Sequence, residues 1–113
     1  MGISLGTLTI PNGTKPSNAI GGRQLRTLRS LMVIAPATLT GTITLQVPDG
    51  IGSSPTFVNL TRPSGSAGGT EDITIAASKV VTLSDVPMHS IRVNSSDDEG
   101  AARAFELFGE EKL

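Results

Sequence analysis

The sequence predicts an all-β fold: a single β-sandwich domain of the jelly-roll type, with seven to eight short strands and an extended N-terminal arm or loop. Nine isoleucines, seven valines and thirteen threonines stand against only three aromatic residues, and β-branched side chains favour the pleated, half-buried surface of a sheet. Short apolar segments recur about every ten residues with turn residues between them, which is typical of sandwiches. Because 113 residues suffice for one hydrophobic core but not for two, we expect residues 1–113 to form one domain.

The N-terminal region predicts a strand over residues 3–10 with a kink at Gly6. A Pro-Asn-Gly turn at residues 11–13 ends this strand. The polar stretch 14–22 predicts an irregular arm or loop, since its Lys-Pro pair favours extended backbone. Residues 1–22 as a whole are therefore a possible arm or loop region.

Residues 23–35 are ambiguous, because leucines recur at helical spacing while residues 31–34 form a continuous apolar run. We expect a short turn or strand over residues 23–29 and a fully buried strand over residues 30–35. Arginines 23, 26 and 29 share one face of a helix, or divide between the two faces of a strand. A solvated charged stripe is the simplest interpretation of these arginines.

The middle of the chain predicts two strands and a surface loop. Residues 40–47 show the period-2 pattern of a half-buried strand, with Ile43, Leu45 and Val47 inward. A second short strand covers residues 56–60. The Gly- and Ser-rich stretch 64–69 is too small and flexible to pack and predicts a surface loop.

The C-terminal half predicts four further strands, over residues 71–76, 79–83, 88–94 and 101–108. The first two are joined by a tight turn at Ala77-Ser78, and an acidic loop at residues 95–100 precedes the last. The apolar residues that mark these strands are Ile73 and Ile75, expected inward, then Val80, Val81 and Leu83, then Ile91 and Val93, and finally Phe105 and Leu107. A charged tail follows at residues 109–113.

Composition argues against several functional classes. The absence of cysteine excludes disulfides, thiolate metal sites and thiol catalysis. The net charge of −1 argues against bulk electrostatic binding to nucleic acid or an anionic membrane. No apolar run near 18 residues and no signal peptide is evident, so we expect a soluble, unexported chain. Residues 1–62 carry a net charge of +4 and residues 63–113 carry −5; we expect the fold to mix these charges, and segregated flanks would instead suit head-to-tail self-contact.

The sequence is poor in groups that carry chemistry. His89 is the only histidine, so neither a usual zinc or copper site nor a Ser-His-Asp triad is expected. The acidic run Asp97-Asp98-Glu99 has the oxygens for a hard cation, but its spacing favours a solvated connection. Phe57, Phe105 and Phe108 are expected in the core. We therefore predict no enzyme activity, no metal and no cofactor, and a structural or interaction protein instead.

Candidate interaction residues are the charged side chains outside the predicted core. They are Lys15, Arg23, Arg26, Arg29, Asp97, Asp98 and Glu99.

Several short motifs resemble those of small virion proteins encoded among the structural genes of tailed bacteriophages. These motifs are Ser-Asn-Ala-Ile at residues 17–20, Leu-Arg-Thr-Leu at 25–28, Ala-Pro-Ala-Thr-Leu-Thr-Gly at 35–41, Ile-Thr-Leu-Gln-Val at 43–47, Ile-Arg-Val-Asn-Ser at 91–95 and Ala-Ala-Arg-Ala-Phe-Glu-Leu at 101–107. The resemblance implies a jelly-roll-like sandwich that decorates or cements the phage head. It also implies synthesis in the host cytoplasm, a location on the virion capsid surface, and two partners: the major capsid protein and, in a homotrimer, the chain itself.

Two other functions stay open at this point. The first is a small tail-associated structural or host-binding module, against which the shortage of aromatic residues counts. The second is an enzyme of unknown type. For the decoration protein, residues 1–5 or 14–22 are candidate arms that reach onto neighbouring subunits and pair with exposed strand edges.

Overall fold

Antiparallel β-strands make up most of the residues that the computed structural model describes, which are 2–21, 28–49, 56–64, 68–83 and 90–111. No helix occurs within these ranges, and so none that is long and apolar enough to cross a membrane. The all-β prediction is confirmed. The strands in the described ranges are β1 (Gly2–Ile10), β2 (Leu28–Ile34), β3 (Ile43–Pro48), β4 (Phe57–Asn59), β5 (Thr61–Pro63), β6 (Thr70–Asp72), β7 (Thr74–Ile75), β8 (Val80–Leu83), β9 (Arg92–Ser95) and β10 (Arg103–Glu111).

Two four-stranded sheets and a two-stranded ribbon contain all ten of these strands. Sheet A has the order β1-β10-β2-β8, and every pair in it is antiparallel. In sheet B, β3 pairs with β9 on one side and with β7 and β4 on the other. Strands β5 and β6 form the ribbon.

The ribbon leaves sheet B where three main chains meet. The Leu60 N–H donates to the Leu45 carbonyl at 2.8 Å, and the Ile73 N–H donates to the Leu60 carbonyl at 2.9 Å. The Leu45 N–H in turn donates to the Ile73 carbonyl at 3.2 Å. All six residues of the ribbon strands are exposed. The strands expected over residues 56–60 and 71–76 are therefore each interrupted, at Leu60 and at Ile73, because the chain changes its pairing partner there.

Buried side chains from both sheets form one hydrophobic core. The radius of gyration, 13.7 Å, is close to the ~13 Å expected for one compact domain of this length. The buried apolar residues are Leu8, Ile10, Ile20, Leu28, Leu31, Val33, Ala35, Ile43, Leu45, Ile73, Ile75, Leu83, Ile91, Val93, Phe105 and Leu107.

The predicted kink in the first strand is confirmed as a β-bulge. The register between β1 and β10 shifts between Ser4 and Gly6, and Gly6 has φ +114°, a conformation that favours glycine. The turn after β1 is also present: Gly13 has φ +81°, and the Thr14 N–H donates to the Pro11 carbonyl at 3.2 Å.

The expectation of a fully buried strand over residues 30–35 is wrong. Strand β2 alternates between buried Leu31 and Val33 and exposed or half-buried Met32 and Ile34. The cause is that sheet A has the core on one face only, so a continuous apolar run turns every second side chain outward.

Both segments expected as reaching arms lie on this chain's own sheets. Strand β1 is paired along β10. Residues 15–20 run along the outer edge of β9, where the Ser17 N–H donates to the Val93 carbonyl at 2.9 Å and the Ser95 N–H donates to the Lys15 carbonyl at 2.9 Å. Ile20 and Ile91 form a reciprocal bridge.

Four further expectations need correction. Val47 is half-buried, whereas the next residue, Pro48, is buried, so the alternation of β3 breaks at its end. Of the three phenylalanines only Phe105 is buried; Phe57 and Phe108 are half-buried. The strand expected to start at residue 40 begins at Ile43, and β10 extends to Glu111, into the segment expected as a charged tail.

Candidate functional site

A buried carboxylate, Glu99, is the most elaborately hydrogen-bonded side chain that the structure describes. It is 1% exposed and accepts four hydrogen bonds. The donors are the Arg103 Nε at 2.8 Å, the Thr40 N–H at 2.9 Å, the Gly41 N–H at 2.9 Å and the Ser95 hydroxyl at 2.7 Å.

The main chain of Glu99 extends the same network. Its N–H donates to the Thr14 carbonyl at 3.1 Å, and its carbonyl accepts from the Gly13 N–H at 2.8 Å. One residue thus joins the turn after β1, the segment before β3, the end of β9 and the start of β10. With four donors on two carboxylate oxygens, Glu99 is a structural anchor.

The electrostatics of Glu99 follow from these contacts. Burial alone raises the pKa of a carboxyl group, but the hydrogen bonds from Arg103, Gly41, Thr40 and Ser95 outweigh it and lower the pKa of Glu99 to about 2. Glu99 is therefore charged throughout the physiological pH range. Its charge is balanced by Arg103, whose side chain is only 15% exposed.

The expectation of a solvated acidic connection is wrong for Glu99 and right for its neighbours. Asp97 and Asp98 are exposed, and Lys15 is exposed on the adjacent segment. The physical reason is that the Glu99 side chain points inward. There it accepts hydrogen bonds from the Thr40 and Gly41 main-chain N–H groups, which precede β3.

The predicted arginine cluster lies only in part within the described residues. Arg29 forms an ion pair with Glu110 on the surface of sheet A, and this contact lowers the pKa of Glu110. Arg23, Arg26 and His89 lie outside the described residues. Arg29 lies beside the C-terminal end of β10 and the Glu99 network beside its start, roughly 23 Å apart at 3.3 Å per residue, so the candidate residues do not form one surface.

The outer face of sheet A carries an apolar cluster that the sequence analysis did not identify. We call Met32, Ile34, Val80 and Phe108 the sheet A patch. Cross-strand pairing places Met32 opposite Phe108 and Ile34 opposite Val80. Met32 is 39% exposed and Val80 is 49% exposed. The sequence carries no local signal for it, because residues 31–34 are all apolar and show no alternation between an inner and an outer face.

The outer face of sheet B is polar. A row of side chains crosses four strands: the Arg92 Nε donates to Gln46 at 2.8 Å, Gln46 donates to Asn59 at 2.9 Å, and Asn59 donates to Asp72 at 3.1 Å. The Arg92 guanidinium also lies 3.9 Å from the centre of the Phe57 ring, a cation–π contact. These groups are hydrogen-bonded to one another, and Arg92 covers the ring of Phe57.

The described residues contain no candidate metal site, because no three His, Asp or Glu side chains among them are grouped so that they could hold an ion. Comparison with protein-family models, curated proteins and solved structures finds no match for this chain.

Proposed function

We propose that this protein is a virion structural protein, a decoration or cement protein on the head of a tailed bacteriophage. In this role it binds the major capsid protein and copies of itself, and it stabilises the shell without catalysing a reaction. The family resemblance of the sequence motifs suggests the role. The observation that carries the proposal is the sheet A patch.

The patch suits self-association. Four apolar side chains adjoin one another across three strands, whereas isolated exposed apolar residues are ordinary. Charges of both signs lie around them: Glu106 is exposed opposite Ile34, and Arg29 forms an ion pair with Glu110, two residues after Phe108. We propose a homotrimer in which three patches meet around the axis, as a threefold position of a shell requires.

The architecture fits a load-bearing role. We propose that sheets A and B pack face to face as a jelly-roll-like sandwich around the shared core. The Glu99 network ties together four segments at one end of this body. A rigid body of this kind presents its outer surfaces without an entropic cost of ordering on binding.

The direct test is to locate the chain in a cryo-EM reconstruction of the phage particle whose genome encodes it. We expect density for it on the outer surface of the head, in threes and at fixed stoichiometry to the major capsid protein. Particles that lack it are expected to lose their DNA at lower temperature. Density confined to the tail contradicts the proposal and supports the tail-associated module, and absence from the particle contradicts both.

A further inference from the structure

Two strand edges within the described residues, those of β1 and β9, are covered. On β1, the Asn18 side chain occupies the outer edge: its Oδ1 accepts from the Thr9 N–H at 2.7 Å, and its Nδ2 donates to the Thr7 carbonyl at 3.3 Å. Residues 15–20 cover β9 in the same way. Such coverage prevents other chains from adding strands.

Strand β8, the other edge of sheet A, is different. The Ala35 N–H donates to the Lys79 carbonyl at 2.9 Å, and the same register places Val81 opposite Val33. Main-chain groups in an antiparallel ladder point alternately toward and away from the partner strand. Val80 and Thr82 therefore direct theirs to the outer side, and no described strand pairs with β8 there.

A groove of about 380 Å³ lies along this edge. Residues 81–83 form one wall and residues 60–63 the other. The apolar residues Leu60, Ile73 and Leu83 contribute to its lining, and the last two are buried. Pro63, on the opposite wall, has no N–H to offer a strand, which favours β8 over β5 as the edge for an incoming backbone.

Arg62 is the one charged side chain among the described lining residues of the groove. Its contact with Glu71 is long, 3.7 Å, and both side chains are more than half exposed. An ion pair of this kind contributes at most about 1 kcal/mol. The guanidinium is therefore available to a carboxylate that approaches along the groove.

We propose that this groove binds an extended segment of a partner protein as an added strand on β8. The segment pairs its main chain with Val80 and Thr82, places an apolar side chain on the groove's apolar lining and presents an Asp or Glu to Arg62. Strand addition to an exposed sheet edge is a general mode of peptide recognition. This inference does not depend on the virion role.

The test uses the full-length protein and a display library of random peptides about ten residues long, the length of a long strand. We expect the selected peptides to alternate apolar and polar residues and to contain an acidic residue. Their affinities, measured by fluorescence anisotropy, should fall about tenfold or more with Thr82→Pro, because proline removes the outward N–H. The matched change Thr7→Pro, on the covered edge of β1, should leave affinity unchanged.

A second pair of variants tests the role of the Arg62 charge. Neither substitution lies in a strand of sheet A. Arg62→Glu should weaken the acidic peptides about tenfold and favour basic ones, whereas Lys15→Glu, on an exposed segment away from the groove, should do neither. Circular dichroism verifies that each variant is folded. The proposal is overturned if the library yields no binder, or if the binders tolerate Arg62→Glu as well as they tolerate Lys15→Glu.

Discussion

Glu99 shows how one side chain determines the arrangement of several loops. Its carboxylate is buried, charged and fully hydrogen-bonded, and its partners come from distant parts of the sequence. Composition alone did not identify it, because an Asp-Asp-Glu-Gly run has the same appearance whether it is solvated or turned inward. Two residues in the sequence are consistent with a buried Glu99. Arg103, four residues later, supplies its counter-charge, and Gly41 has no side chain to block the approach of the hydrogen-bonded groups.

Replacement of Glu99 should be costly. Glu99→Gln leaves Arg103 without its counter-charge in a nearly buried position, and we expect the free energy of unfolding to fall by about 3 kcal/mol. Urea denaturation at neutral pH measures this loss. The matched variant Asp98→Asn, at the exposed neighbour, should change stability by less than about 0.5 kcal/mol. Equal effects of the two variants would show that the network does not stabilise the fold.

The same residue predicts how stability depends on pH. The folded-state pKa of Glu99, about 2, lies below the ordinary value of 4.5, so the folded protein favours the charged form. Its contribution is fully present above pH 4.5 and is lost as the pH falls toward 2. Urea titrations across this range should show a steeper loss for the wild-type protein than for Glu99→Gln. Parallel curves would contradict the assignment.

Gly41 makes the network possible through close approach. A Cβ atom at this position would lie 2.8 Å from the Asp97 main-chain nitrogen and 2.9 Å from the Ser96 hydroxyl. Gly41→Ala should therefore destabilise the protein by about 1–3 kcal/mol. Gly100→Ala, where nothing lies within 4 Å, is the control and should be neutral or slightly stabilising in thermal unfolding. A neutral Gly41→Ala would mean that the loop moves aside without cost.

At the level of the strands, the sequence predicted features that depend on a single segment, such as a bulge or a turn. It did not predict features that depend on which strands pair with one another. The bulge at Gly6 and the turn at residues 11–13 follow from glycine and turn residues, and the structure has both. The ribbon was not predicted, because the interruptions at Leu60 and Ile73 arise where both residues hydrogen-bond to the main chain of Leu45, a contact between distant segments. The apolar run of β2 did not reveal that only one face of sheet A is covered.

Coverage of the β1 edge gives a prediction for Asn18. Asn18→Ala removes both of its hydrogen bonds to β1, which should cost about 1 kcal/mol of stability. It should also accelerate aggregation, because it exposes the main-chain groups of Thr7 and Thr9. Light scattering during incubation below the melting temperature measures the rate. Asn12→Ala, in the exposed turn, is the control; equal aggregation rates for the two variants would refute a protective role.

Across the whole molecule, the two oppositely charged halves of the sequence are interleaved. Sheet A alternates strands from the first half with strands from the second, and Arg29 contacts Glu110 directly. The expected mixing of charges is thus present in sheet A. What could not be predicted is the sheet A patch, since it exists only when β2, β8 and β10 align their outward residues.

We propose that this protein functions by binding other proteins, beginning with itself through the sheet A patch. Sedimentation equilibrium tests it most directly. We expect the wild-type mass to be three times the 11.6 kDa of one chain, and Met32→Glu to reduce it to the monomer. Val58→Glu places the same charge at a comparably exposed apolar position on β4, 43% exposed, and should leave the trimer intact. A wild-type protein that stays monomeric at the highest concentration measured, or a trimer that Met32→Glu does not disturb, would contradict the account.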